Sequence, residues 1–398
     1  MTSILDAVFR SNPNYELVLF DRLTDEQQRT FDGLEKDHDF YGILRPRGGF
    51  SMPIMPIKSV CRETALLFLT LQAPGKLPSY ARVGLGAQCT RVIVEFVLDG
   101  VLEVESNGAF VCRSEAYALI YGSKPPHVAE GTIGRLSRDA LMYAQGLEIS
   151  NISELSARLY FFNRLPVSPY WVRRFPSHMA VTEYLGLKNG IMRRFASSWS
   201  PFASAAPSNG WISWRSHSKS RLPGPNSSYK LYVSPHSNFV REAFQATIAA
   251  LLDSQAHQLK VGSDVYGLLR PDKIVSYFWT LDALKEAAAL LTGGLHGCPA
   301  HGVPFTAQLT DDGLLSWGMD PPADQHIFVF QQRESWRLWV TNRLATALLA
   351  AKRIRKKGPE PWHFALERLR LDHVDTETWT PKETIWQDGP LSPSLADG

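Results

Sequence analysis

The chain has 398 residues, 44% hydrophobic and 20% charged, with a formal net charge of +3. That balance belongs to a soluble globular protein of two or three units, each able to bury a core, and it excludes a disordered tail or a fibre. No apolar run nears the ~20 residues a membrane span needs, and the start "MTSILDAVFRSN" lacks the order of a secretory signal, so the cytoplasm is the expected compartment.

The first segment, residues 1–125, reads as three helices followed by a hairpin. "CRETALLFLTL" (61–71), "LPSYARVGLG" (77–86) and "AQCTRVIVEFVLDG" (87–100) have helical spacing, the last stopping at Gly100. "VLEVESNGAFVCR" (101–113) alternates on both sides of Asn107-Gly108, a pair that tolerates the positive φ of a tight turn. This is the element order of a winged helix. DNA binding would want cations along the third helix, where only Arg91 stands beside Glu95 and Asp99, so nucleic acid is not an expected partner.

Residues 126–210 read as mainly helical, through "ISELSARLYFFNRL" (152–165) and "SHMAVTEYLGL" (177–187). "SSWSPFASAAPSNG" (197–210), rich in Ser, Ala and Pro, reads as a linker. From 211 to 398 an α+β unit is expected. "SYKLYVSP" (228–235), "HQLKVGS" (257–263) and "DKIVSYFWT" (272–280) are strands, and "REAFQATIAALLDSQA" (241–256) is a helix. "TLDALKEAAALLTGG", capped by Thr280, and "SWRLWVTNRLATALLAAKRIRKK" (335–357) are also helices.

Charge and strand alternation single out one region. Between Tyr184 and Arg241 there is no Asp or Glu, while eight Lys and Arg fall there, Arg221 and Lys230 among them; such a stretch draws anions. Side chains alternate along a strand, so if a helix covers Leu231, Val233, Leu259 and Val261, the opposite face displays Lys230, Tyr232, Lys260 and Tyr277. A lysine acts as a base only when its pKa falls well below ~10.4, which burial and neighbouring cations such as Arg270 and Lys230 both bring about. Base plus cations suffice to remove a proton beside a carbonyl while phosphate leaves, with no metal or other cofactor. A solvated sheet face is the other reading of the same spacing.

Over about residues 211–380, "YKLYVSPHSNFVREAFQATIAALL", "HQLKVGSD" and "DKIVSYF" resemble the phosphothreonine lyases delivered by bacterial type III secretion. They resemble still more the effector-like lyases of class V lanthipeptide and related ribosomal peptide biosynthesis. The resemblance implies an α+β lyase domain that removes phosphate from phosphoserine or phosphothreonine by β-elimination. It implies Lys260 as general base, Lys230 as a phosphate contact, Tyr277 as a pocket residue, and Arg337 or Arg343 as the helical phosphate-binding arginine. Arg221 and Arg270 join the phosphate-binding candidates. Where those lyases carry a histidine as general acid, this chain has Tyr232, which either donates the proton in its place or marks a silent partner subunit that binds a phosphopeptide or activates the kinase. The N-terminal elements are similar in order to PqqD-like recognition elements, which hold a precursor's leader peptide as an added strand. The implied partners are a phosphorylated precursor peptide and a separate Ser/Thr kinase, since no kinase signature occurs in the chain. A secreted effector is a third reading, disfavoured by the long N-terminal half.

"LHGCPAHG" (295–302) holds His296, Cys298 and His301, too few convergent ligands for zinc, and no metal is expected. Cys61, Cys89, Cys112 and Cys298 are scattered without paired spacing, as befits reduced thiols.

Overall fold

The computed structural model describes residues 4–25, 28, 39–48, 56–122, 125–127, 129–188, 190–202, 210–217, 229–321, 334–352 and 359–382. The architecture is α+β. Near the N-terminus, β1 (Val8–Ser11), β2 (Tyr15–Leu19), β3 (Gly42–Pro46) and β4 (Lys58–Val60) precede α1 (Arg62–Thr70). Then come β5 (Gly75–Lys76), α2 (Ser79–Leu85), α3 (Cys89–Asp99) and the hairpin β6 (Leu102–Ser106) and β7 (Ala109–Val111). Strands β2, β3 and β4 form one sheet, and β5, β1, β6 and β7 in that order form another. Asn107 (φ 52°) and Gly108 (φ 79°) make the hairpin turn, and Gly100 (φ 78°) ends α3, as their residue types lead one to expect.

A set of short helices follows: α4 (Tyr117–Tyr121), α5 (Thr132–Gly146), α6 (Ile152–Tyr160), α7 (Pro169–Arg174), α8 (His178–Leu185) and α9 (Gly190–Ala196). Asn151 starts α6 by accepting from the Glu154 backbone N–H at 2.9 Å, and Ser177 starts α8 in the same way from Ala180. The expected linker begins instead as an edge strand, β8 (Trp199–Pro201), paired with β9 (Trp211–Ser216). Trp199 is buried and stacks on Phe195 at 4.8 Å, and Pro201 is tolerated because an edge strand has an unused hydrogen-bonding side.

The remaining elements are β10 (Tyr229–Val233), α10 (Val240–Leu252), β11 (Gln258–Gly262), α11 (Val265–Leu268), β12 (Ile274–Phe278) and α12 (Leu281–Gly294). After them come β13 (Ala307–Gln308), β14 (Leu315–Met319), α13 (Trp336–Lys352), α14 (Pro361–Leu371) and the short pair β15 (Val374–Asp375) and β16 (Thr380–Pro381). The main sheet has seven strands in the order β13-β14-β10-β12-β11-β9-β8, with every neighbouring pair antiparallel. Strand β12 is central and buried at all five positions, which explains its unbroken apolar reading. One face buries Leu231, Val233, Leu259, Val261, Ile274 and Phe278 in the same core as Phe244, Ile248 and Leu251 of α10 and Leu284 and Leu291 of α12. Thr280 caps α12 by accepting from the Ala283 N–H at 3.3 Å.

The N-terminal elements are fastened to the rest through charge as well as packing. Lys58 Nζ lies 2.7 Å from Glu95 and 2.6 Å from Asp99, and Arg368 of α14 pairs with Asp99 at 2.5 Å and Asp372 at 3.2 Å. Val94 and Leu98 of α3 belong to the core that holds the main sheet. The Glu95–Asp99 side of α3 therefore faces the C-terminal helices.

Candidate active site

Cross-strand register decides which side chains meet. In antiparallel pairs, directly opposed residues share a face. Lys230 stands opposite Tyr277 on one side and Gly318 on the other; Tyr232 stands opposite Val275 and Ser316; Lys260 stands opposite Val275 and Ser213. Lys230, Tyr232, Lys260 and Tyr277 thus lie on one face, turned away from α10 and α12. Tyr232, Val275, Tyr277 and Val303 form a small buried cluster there, with Trp211 packed against it.

Lys260 is half-buried, with its ammonium 4.5 Å over the Trp211 ring and 5.3 Å over the Tyr277 ring. Burial first, then the Lys230 and Arg270 cations, pull its pKa down to about 7 against the opposing pull of Asp272 and Asp320. An amine with that pKa is half neutral near pH 7 and can accept a proton. Lys230, itself buried, pairs with Asp320 at 2.6 Å and sits 5.2 Å over the Tyr277 ring. Tyr232 and Tyr277 are buried, and burial followed by the Asp320 carboxylate pushes both phenols well above their ordinary pKa, so both keep their protons and donate.

The arginines gather around a second carboxylate. Asp272, at the entrance to β12, receives Arg270 as a fork, Nε to Oδ1 at 2.8 Å and Nη2 to Oδ2 at 2.9 Å, and lies 3.0 Å from Arg337 Nη1. Although burial pushes the Asp272 carboxyl up, Arg270 and Arg337 hold it well below the carboxylate range. Arg270 is delivered by the turn after β11, where Asp264 caps the short α11 by accepting from the Gly267 N–H at 2.7 Å. Arg337 is placed by the start of α13, since the Trp336 N–H donates to Asp320 at 3.0 Å and its indole N–H to the Phe305 carbonyl at 2.8 Å.

Gly318 makes room for that helix start, because a Cβ there would stand 2.4 Å from the Trp336 ring. Gly318→Ala is expected to cost about 1–3 kcal/mol through displacement of Trp336, seen as a lower urea midpoint with an unchanged slope.

Of the phosphate-binding candidates, Lys230, Arg270 and Arg337 come together with Lys260. Arg343 does not: it lies 3.5 Å over the Trp339 ring, 3.5 Å from Asp372 and 3.8 Å from Glu334, in the charged network that reaches α14 and α3. Six residues separate it from Arg337, which turns the helix by about 600° and leaves the two some 120° apart around α13. Arg221 lies outside the described residues. His301 is engaged in the loop rather than poised for a metal, its Nδ1 2.7 Å from Lys273 Nζ and its Nε2 2.6 Å from the Asn163 carbonyl. Among the described residues no group of three or more His, Cys, Asp or Glu is arranged to hold a metal ion.

Tyr160, Trp211, Asp272 and Asp320 complete the site without having stood out in the sequence. Tyr160, at the end of α6, receives Arg270 Nη2 on its hydroxyl at 3.0 Å, and its carbonyl accepts from Arg337 Nη2 at 2.6 Å. Its only signal was an aromatic at the end of an amphipathic helix, which core packing explains as readily.

No protein-family model and no curated protein matches the chain. Among solved structures, an effector protein from Pseudomonas syringae pv. tomato strain DC3000 aligns with 62% of this chain and 95% of its own at 12% identity and a TM-score of 0.41. The type III effector/phosphothreonine lyase OspF from Shigella flexneri aligns with 32% of this chain and 74% of its own, at 14% identity and a TM-score of 0.26. The phosphothreonine lyase SpvC, an effector from Salmonella, aligns with 53% and 97%, at 15% identity and a TM-score of 0.28. Roles are therefore read from this chain's own geometry.

Proposed function

We propose that this protein is a phosphoserine/phosphothreonine lyase acting on a peptide by metal-independent β-elimination. The observation that carries the reading is the lowered pKa of Lys260, about 7, on a sheet face shared with Lys230 and fronted by Arg270 and Arg337. The neutral Lys260 Nζ takes the α-proton, the Cα–H electron pair forms the Cα=Cβ bond, and the Cβ–O bond breaks to release phosphate. Lys230, Arg270 and Arg337 offset the charge gathering on the leaving group, and the protonated phenols of Tyr232 and Tyr277 donate hydrogen bonds to it. The product is a dehydroalanine or dehydrobutyrine residue. As its substrate we propose a ribosomal precursor peptide phosphorylated by a separate kinase, with its leader held by the N-terminal elements.

The test is incubation with a phosphoserine peptide, read as a mass loss equal to phosphoric acid and a new α,β-unsaturated residue that adds thiols. A second reading draws on Tyr232: a buried phenol with a raised pKa parts with its proton reluctantly, which suits a silent phosphopeptide-binding subunit. Under that reading the peptide binds and stays intact with wild type and Lys260→Ala alike.

A further inference from the structure

Beside Arg270 runs a surface strip that the proposed chemistry does not use. Phe161 and Tyr266 are exposed large aromatics, 41% and 55% accessible, and the Arg164 guanidinium lies between them, 5.4 Å from the Phe161 ring centre and 5.5 Å from that of Tyr266. Arg270 reaches the same Phe161 ring at 5.6 Å. The strip is held firmly. Leu165 N–H donates to the Leu269 carbonyl at 3.1 Å, Asn163 takes a left-handed φ of 66°, and its side-chain amide donates to the His301 and Gly302 carbonyls at 2.8 and 3.1 Å. Arg164 Nη2 donates to the Tyr266 carbonyl at 3.2 Å, which fixes the guanidinium while leaving most of its donors available.

Arg164 makes no ion pair with any carboxylate among the described residues. The two acids in its field have other work: Asp264 caps α11, and Asp272 holds Arg270 and Arg337. Arg164 and Arg270 are cations of like sign facing one aromatic ring, and each lowers the cost of an anion placed near the other.

We infer that Arg164, flanked by Phe161 and Tyr266, is a subsite for an acidic side chain of the peptide substrate, close in sequence to the phosphorylated residue. The inference rests on the lyase reading and deepens it by naming a substrate feature. Both guanidinium carbons lie within 5.4 and 5.6 Å of one ring centre, so they are no more than about 11 Å apart. An extended chain advances ~3.3–3.6 Å per residue, which puts the acid within about three positions of the phosphoresidue. The rings on either side offer packing surface to the substrate's side-chain stems and backbone, while the guanidinium takes the carboxylate as a fork.

The test uses matched phosphoserine peptides that carry glutamate, alanine or lysine at each position from three before to three after the phosphoserine. Fluorescence anisotropy gives their affinity, and mass spectrometry gives their kcat/KM. Wild type is expected to favour at least one glutamate peptide by roughly 5-fold at low salt, the preference shrinking as salt screens the pair. Arg164→Gln brings the ratio to near one, and Arg164→Glu reverses it toward the matching lysine peptide. Equal affinity of wild type for all glutamate and alanine peptides overturns the inference, as does a preference that survives in Arg164→Glu. If no peptide is eliminated, the lyase reading fails, and the anisotropy ratio still decides whether Arg164 selects acids.

Discussion

Lys260→Ala is expected to lower elimination from a phosphoserine peptide by about 10²–10⁴-fold, the range that a positioned general base contributes. Its KM is expected to change little if Lys230, Arg270 and Arg337 hold the phosphate as proposed. In wild type the acid limb of the kcat/KM profile should fall near pH 7, where burial and the Lys230 cation set the amine. The second ionisation of a phosphomonoester lies lower, near ~6, so the two limbs are separable. A limb that stays near 7 in Lys260→Ala would show that another group is the base.

The same residue makes a prediction about stability with the opposite sign. A lysine whose folded pKa lies below its unfolded value opposes folding: the penalty is full below the folded pKa, where both states are charged, and it is relieved as pH rises toward the unfolded pKa of ~10.4. Lys260→Met places an apolar chain between the Trp211 and Tyr277 rings and removes that penalty. It is expected to be more stable than wild type by about 1–4 kcal/mol below pH 7, with the gap closing between pH 7 and 10, read from urea midpoints at several pH values. An inactive variant that is also more stable separates a functional lysine from a structural one.

How much of this was legible in the sequence depended on distance along the chain. The strand alternation that groups Lys230, Tyr232, Lys260 and Tyr277 is a property of local backbone geometry, and it survives into the folded sheet because β10, β11 and β12 are neighbours in register. The hairpin at Asn107-Gly108, the stop at Gly100 and the cap at Thr280 were legible for the same reason. Tyr160 was not, since nothing local tells that α6 brings its last residue to Arg270, 110 positions later. Nor was it legible that Arg337 rather than Arg343 meets Asp272, which depends on how α13 is rotated about its axis, and that is fixed by Trp336 meeting Asp320 and Phe305. The edge strand at Trp199 was hidden by a Ser/Ala/Pro composition that usually marks a linker; one buried indole outweighed it.

Asp272→Ala is expected to be the most destabilising single change at the site, costing about 3–5 kcal/mol, because it leaves the part-buried Arg270 and the nearly inaccessible Arg337 without their shared carboxylate. Asp272→Asn should cost less, since an amide oxygen still accepts one of the guanidinium donors. The pH dependence has a definite sign. A carboxyl held below its unfolded pKa stabilises the fold above that unfolded value, near ~4, and loses the contribution as pH falls toward the folded pKa, so wild type should weaken on acidification more steeply than Asp272→Asn. If the two arginines are a phosphate seat that Asp272 occupies in part, inorganic phosphate should raise the midpoint of Asp272→Asn more than that of wild type, because the released donors take up a dianion and a ligand that binds only the folded state stabilises it by mass action. A phosphate effect equal in the two proteins would place the anion elsewhere and leave Asp272 with a purely structural part in orienting Arg270 and Arg337.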